Sequence, residues 1–391
     1  MSIIIIGESY TFPDGNAATN RVHTYAKGFI ENDFIPHVIC FASRYNTAGD
    51  GITNGIHYYH PFGQRERSQY FLVRRWQKII KYFKTISLII EINKEDKILA
   101  IICYTQIIQT LFFIFGIAKY LNTKVILERS EHPLRKYQST FITQKIGKLK
   151  SKLETMLCDG IFCISQYLID FYKSKDVNRK KLFLVPSTVD PERFDIQSKS
   201  PLPYKYIVYC GTLTLAKDGV DILIKSFSLT LEKHPELHLV LIGKGDSTNQ
   251  ETLIKELVSE LKINKKVFFT GQLPRTEIAS YLNNAHILAL ARPISMVADA
   301  GFPSKLTEYL ATGVPVVVTE VGDIPVYLND NVNSFLSEPN NVEAFAAKLD
   351  FVLNNYEIAK EVALIGKELT NTIFNYNFQA KRMIGFMKIL Y

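Results

Sequence analysis

The chain has 391 residues, of which 47% are hydrophobic and 21% charged. That length exceeds one ordinary core and that composition excludes a disordered chain, so two or three globular domains are expected. The net charge of +8 is uneven: residues 1–200 carry 28 Lys+Arg against 18 Asp+Glu, and residues 201–391 carry 18 against 20. The surplus implies an anionic partner for the first half alone. Nucleic acid is set aside because no recognition motif accompanies the charge, and a phospholipid surface is preferred. Five cysteines, an odd number without metal-like clustering, read as small core residues in a reducing compartment. Gly7, Glu8 and Ser9 cut short the apolar run Ile3 to Ile6, which reads as no signal peptide and a cytoplasmic location.

In chain order, residues 3–6 predict a buried strand leading into a loop with Gly15 and Asn16. A helix over 18–31 and a strand over 37–41 follow. Residues 69–92 interleave Arg74, Arg75, Lys78, Lys81 and Lys84 with Leu72, Trp76, Ile79, Ile80 and Phe83 at helical spacing. Two readings stand for this segment: a basic amphipathic helix lying in a headgroup layer, or a surface helix whose apolar stripe is core. Residues 98–118 contain no charge and are long enough to span a bilayer, but Thr105, Gln106 and Gln109 interrupt them. They read better as a strand over 98–104 and an apolar helix. Strands over 124–127, 160–164 and 182–185 complete a first strand–helix alternation, which predicts a parallel sheet covered on both faces.

The polar, Pro-bounded stretch 195–203 has the composition of a linker. Beyond it the alternation repeats, with strands expected over 206–210, 237–242, 266–270, 287–291 and 314–319. Helices are expected over 220–231, 251–261 and 305–311, and the pattern from 342 onward is all helical. The expected domains are 1–196, 204–372 and a C-terminal helix within 373–391 packing back on the first. Ligands of such sheets bind at the carboxyl ends of the strands, so a cleft between the two domains is the expected site.

The informative stretch runs from Ala291 to Val321. Gly301, Phe302 and Pro303 lead into a helix opening near Ser304 or Lys305, and a helix start offers free amides and a positive dipole to a phosphate. Lys305 and Glu308, three apart, project from one face of the first turn. Glu308 has two readings: a first-turn acid complementing the dipole, or an acceptor for both hydroxyls of a ribose.

These residues, with the order of elements, resemble the retaining glycosyltransferases of family 4, which have the α/β GT-B fold of two doubly wound Rossmann-like domains. The family's pattern is a Glu, then Gly-Phe-Gly-Leu, a second Glu eight residues after the first, and a closing Gly-x-Pro-Val-Val strand. Gly301, Phe302, Glu308, Gly313, Pro315, Val316 and Val317 match it here. Gly211 and Lys217 fall in register with the start of the family's C-terminal domain. The run GKG at 243–245 and the turn GQLPRTEI at 271–278 resemble its base-cradling segments, and CISQY and VPSTVDPERF its entries to the interdomain linker.

The resemblance implies an acceptor-binding first domain and a second domain that binds a UDP- or GDP-sugar. It implies Lys217, Lys305, Glu308 and His132 (near the donor sugar) as catalytic, although a loop histidine such as His132 also has a structural reading. The donor set it implies is Gly15, Asn16, Gly211, Thr212, Gly243, Gly245, Leu273, Asp299, Gly301, Phe302, Ser304 and Leu306. The implied acceptor is a glycan, lipid-linked in surface polysaccharide synthesis, at the inner face of the membrane. No cofactor is implied. No Asp-x-Asp follows a strand, so no bound metal is expected.

Two positions depart from the pattern. Ala300 stands where the first Glu belongs, with Asp299 beside it, and Thr212 stands where an Arg usually grips the diphosphate with the Lys at 217. Two rival readings follow: a nucleotide-sugar 2-epimerase of the same architecture, and a catalytically silent, membrane-docked subunit.

Overall fold

The computed structural model describes residues 1–45, 49–134 and 140–391. The chain divides into two compact units, Met1–Thr188 with Tyr376–Tyr391, and Val189–Asn375. The first holds an eight-stranded sheet of Ser2–Gly7 (β1), Ile35–Cys40 (β2), Gly51–Thr53 (β3), Ile56–Tyr59 (β4), Ile98–Tyr104 (β5), Lys124–Arg129 (β6), Gly160–Cys163 (β7) and Leu182–Leu184 (β8). The strand order is β3-β4-β2-β1-β5-β6-β7-β8. All neighbours are parallel except β3 with β4. The four isoleucines of β1 are essentially inaccessible, as a central strand covered by helices on both faces requires.

The second unit holds six parallel strands, Tyr206–Cys210 (β9), His238–Ile242 (β10), Val267–Gly271 (β11), Ile287–Leu290 (β12), Val316–Thr319 (β13) and Phe335–Ser337 (β14). Their order is β11-β10-β9-β12-β13-β14. Both units are thus Rossmann-like α/β sheets. The short strands β3, β4 and β14 are absent from the sequence reading; each lies at or next to a sheet edge and has only three or four residues.

The boundary between units falls at Thr188, earlier than the polar stretch 195–203 suggests. Backbone bonding explains the shift: Val189 N–H donates to Phe374 O at 2.9 Å. The Asn283 amide donates to Phe194 O at 2.7 Å and Ile196 O at 3.1 Å. The polar residues that look like a linker are therefore tied down on the second unit.

The helix Tyr376–Ile389 packs on Ala17–Ile30 within the first unit. Gly28 permits the approach, since a Cβ there would lie 2.5 Å from Ala380 Cβ. Met383 and Met387 enter the same core as Ile3, Val22 and Phe29.

The segment 98–118 is strand β5 followed by the helix Ile108–Tyr120. Among the described residues no helix is long and apolar enough to cross a membrane. The helix Phe71–Glu95 runs 25 residues but buries only Lys81, Thr85, Ile89 and Ile92. Phe71, Leu72, Trp76, Ile79, Ile80 and Phe83 face solvent, Trp76 at 63% exposure. Its apolar stripe is therefore mostly not core. One of its five interleaved bases is a correction: Lys81 is buried, its Nζ donating to Phe41 O at 2.9 Å and Ser43 Oγ at 3.0 Å. The helix Phe141–Leu157 likewise exposes Ile142, Ile146, Leu149 and Met156.

Candidate functional site

In the second unit the chain leaves β9 at Cys210 and turns at Gly211, whose φ of 152° suits glycine. Its amide donates to Ile242 O at 2.8 Å. A Cβ at Gly211 would stand 2.6 Å from Lys305 Nζ, so the lysine ammonium lies directly against this backbone. Gly243 closes the other side: with φ 131°, a Cβ there would meet Gly211 O at 2.0 Å. Gly245 follows, its N–H bonded to Glu251 Oε1 at 2.9 Å. Two glycines from adjacent parallel strands thus bring backbone and cation together at the carboxyl ends of the sheet, where open α/β sheets bind ligands.

Lys305 is the second residue of the helix Ser304–Thr312. Its Nζ donates to Asp218 Oδ2 at 2.7 Å and to Tyr209 Oη at 2.7 Å. An ammonium has three N–H donors, so one remains beyond these two. Asp218, buried, also receives the Tyr209 hydroxyl at 3.0 Å, and that hydroxyl lies 2.6 Å from Thr212 O. Burial pushes the Asp218 carboxyl up, but Lys305 and Arg292 beside it bring it below the usual carboxylate range. Burial lowers Lys305, with Asp218 opposing the shift. The Tyr209 phenol is raised well above its ordinary value, by burial and then by Asp218. Lys217, one residue before Asp218 in the short helix Leu215–Asp218, adds positive potential to both members of the pair.

Arg292, one residue beyond β12 and its flanking Ala291, is 1% exposed. Its Nε stands 4.0 Å from Asp218 Oδ1. Its Nε and Nη2 have no hydrogen-bond partner among the described residues. Burial lowers its pKa, while Asp218, Tyr209 and Asp299 pull the other way. Glu308, one turn beyond Lys305, accepts from Arg193 Nη1 at 3.1 Å, and both groups stay partly accessible.

The structure therefore gathers Gly211, Gly243, Lys217 and Lys305 around one strand end, with Tyr209, Asp218 and Arg292 behind them. Several expected donor residues have other roles for their side chains. Leu306 is wholly buried core. Phe302 packs on Tyr327 and Phe374, with ring centroids 5.5 and 5.4 Å away. Only their backbones are available to a ligand. Asp299 is half-buried in the helix Met296–Ala300, while Ala300 is fully buried. Gly301, Ser304 and Leu273 are half-buried and Thr212 is exposed.

In the first unit Asn16 caps the helix Ala17–Ile30 through bonds from Ala18 and Thr19 N–H. Gly15 makes room for the Thr19 and Thr11 hydroxyls. His132 Nδ1 accepts Leu134 N–H at 3.1 Å, and the ring packs on Phe171. Burial lowers its pKa, favouring neutral imidazole.

Sequence reasoning missed Tyr209, Asp218, Arg292 and Arg193. Arg292 had a visible signal, a lone charge closing the apolar run from Ile287 to Ala291.

Residues 190–368 match the family described as Glycosyl transferases group 1. An uncharacterized glycosyltransferase of Haemophilus influenzae is 27% identical over 241 residues, 61% of this chain and 62% of that protein. The amylovoran biosynthesis glycosyltransferase AmsK of Erwinia amylovora is 24% identical over 214 residues, 54% of this chain and 51% of its own length. The chain thus spans about half to three fifths of these relatives. HepE of Anabaena, solved with UDP and glucose, superposes with a TM-score of 0.72 at 12% identity, covering 99% of each chain. At that identity the likeness establishes the fold, which is GT-B.

Proposed function

With residues 190–368 matching the glycosyl transferases group 1, we propose that the chain moves a sugar from a nucleotide-sugar donor to a glycan acceptor, with retention of configuration and without a metal. The observation that carries this reading is the Lys305 ammonium lodged against Gly211 at the carboxyl end of β9. A nucleoside diphosphate gains negative charge as the sugar bond breaks, and a cation fixed in advance stabilises that state more than the substrate. Lys305 keeps one N–H donor for it, and Lys217 and the first amides of Ser304–Thr312 add positive potential. Glu308 accepts the ribose hydroxyls, and Asp299, beside the buried Ala300, serves the sugar in place of the missing Glu. The leaving diphosphate oxygen takes the proton of the incoming hydroxyl on the same face, so this chain supplies electrostatics and positioning. HepE's UDP and glucose support a nucleotide-sugar donor for this chain as well.

The test is a panel of UDP- and GDP-sugars offered with a glycan acceptor in excess chelator, the product anomer being read by NMR. Transfer with an axial donor bond kept axial is expected. An inverted product, or activity that appears only with Mg²⁺ or Mn²⁺, overturns the corresponding part. Release of free 2-epimerised sugar without acceptor selects an isomerase.

The acceptor we propose is lipid-linked, the chain docking peripherally on an anionic membrane. The exposed Phe71, Leu72, Trp76 and Phe83 beside Arg74, Arg75, Lys78 and Lys84 support this. AmsK's assignment to amylovoran biosynthesis supports a polysaccharide product.

A further inference from the structure

A buried guanidinium with donors left over is costly unless something uses its charge. Arg292 is such a group, with Nε and Nη2 unbonded among the described residues and its nearest carboxylate oxygen 4.0 Å away. That carboxylate, Asp218, binds Lys305 more closely through its other oxygen, at 2.7 Å. One acid therefore stands between two bases, Lys305 in contact and Arg292 at longer range. Without Arg292, the Asp218 charge would cancel that of Lys305, and the strand end at Gly211 would present an ion pair to an incoming anion. With Arg292 the three side chains sum to one positive charge, and Lys217 adds a second.

Resting on the donor reading given above, we infer that Arg292 is a positioning residue of the diphosphate seat, acting through Asp218: it offsets the carboxylate so that Lys305 confronts the phosphates as a cation. This supplies from within the unit, across 4.0 Å to Asp218, the charge that an arginine at position 212 would have supplied directly. Thr212 is exposed and offers none. Arg292 at 1% exposure does not touch the ligand itself. Its effect is on the charge of the seat, not on its shape. It should therefore scale with the number of phosphates and leave the nucleoside contacts alone.

The experiment measures calorimetric Kd values of the full chain for UDP and UMP and for GDP and GMP, and compares the diphosphate-to-monophosphate preference. Arg292→Gln should lose roughly tenfold of that preference, the size expected for one charge at short range behind protein. Arg292→Lys should stay within about threefold of the parent. An unchanged preference in Arg292→Gln overturns the inference, whatever happens to Tm. So does an Arg292→Lys preference that falls as far as that of the Gln variant, since geometry and not charge would then matter. If Arg292→Gln does not fold, the double variant Arg292→Gln/Asp218→Asn is compared with Asp218→Asn alone. The double should stay within about threefold of it, because no carboxylate is left to offset, while Asp218→Asn alone should raise the preference above the parent's. A tenfold fall in the double, or no rise in Asp218→Asn, overturns the proposal. A parent that binds neither UDP nor GDP removes the donor reading and this inference together. A parent that binds, with variants that match it, removes this inference alone.

Discussion

The ammonium of Lys305 and the carboxylate of Asp218 lie 2.7 Å apart, 87 residues distant in sequence, and Gly211 is the residue that leaves room for the ammonium. The pair ties the Leu215–Asp218 turn to the start of the Ser304–Thr312 helix, so each half of the seat positions the other.

Lys305→Ala should lower kcat by roughly 10²–10³-fold, by analogy with the loss of one oxyanion donor. It also leaves Asp218 buried without its contact partner, a change that costs about 3–5 kcal/mol in comparable pairs. Lys305→Ala/Asp218→Asn should recover part of the stability in denaturant melts, the buried Arg292 having lost its carboxylate, but not the rate. A Lys305→Ala enzyme that turns over like the parent would remove the lysine from the mechanism.

Gly211→Ala tests the seat without touching a charge. The added methyl would stand 2.6 Å from Lys305 Nζ on a backbone with φ 152°, so the ammonium must move. Diphosphate affinity should fall about tenfold or more, with Arg193–Glu308 undisturbed. Affinity equal to the parent's in calorimetry would mean that the lysine position is unimportant.

Glu308→Ala and Arg193→Ala should act alike. The two side chains meet at 3.1 Å, and loss of either displaces or removes the proposed ribose acceptor. We expect the KM for donor to rise by about tenfold, with a smaller fall in kcat. A 2′-deoxyribose donor should erase the difference between each variant and the parent; a difference that persists assigns the pair to packing.

Membrane attachment predicts a contrast within one helix. Arg74→Glu/Arg75→Glu/Lys78→Glu should weaken sedimentation with anionic vesicles, and added salt should do the same. Lys81→Glu should instead lower Tm, because its ammonium is bonded to Phe41 O and Ser43 Oγ inside the unit. Vesicle binding that survives the triple change shows that another surface carries it.

Stability should fall in acid in a way that reports on Asp218. Its folded carboxyl lies below the unfolded value, so the unfolded chain takes up that proton first. The contribution is fully present above the unfolded value near 4 and is lost as pH falls through the folded one. Melts from pH 7 to pH 3 should show a shallower decline for Asp218→Asn than for the parent. Parallel declines would mean that other carboxylates set the slope.

Much of the architecture is legible in the sequence because buried parallel strands such as Ile3–Ile6 and Val316–Val318 must be apolar throughout, and glycines such as Gly211 and Gly313 mark the turns beside strands. The charged partnerships are not. Asp218 with Lys305 and Arg193 with Glu308 join residues 87 and 115 positions apart, and only the strand order decides that they meet. Lys81 reads like its neighbours on the helix, and only the packing of that helix over Phe41 makes it a buried residue. Thr212 marks a missing cation in the pattern, but nothing local to it points to a replacement 80 positions further on.

The helix Tyr376–Ile389 completes the core of the first unit, although the whole of the second unit precedes it in synthesis. On the ribosome the order of maturation is therefore inverted. Residues 189–375 are synthesised before Met383 and Met387 are added to pack with Val22 and Phe29. Until those side chains arrive, the nascent first unit carries an open apolar face, a natural substrate for chaperones that hold incomplete domains. A frameshift or proteolytic cut after Asn375 would spare every residue of the proposed diphosphate seat and remove a helix from the core of the other unit.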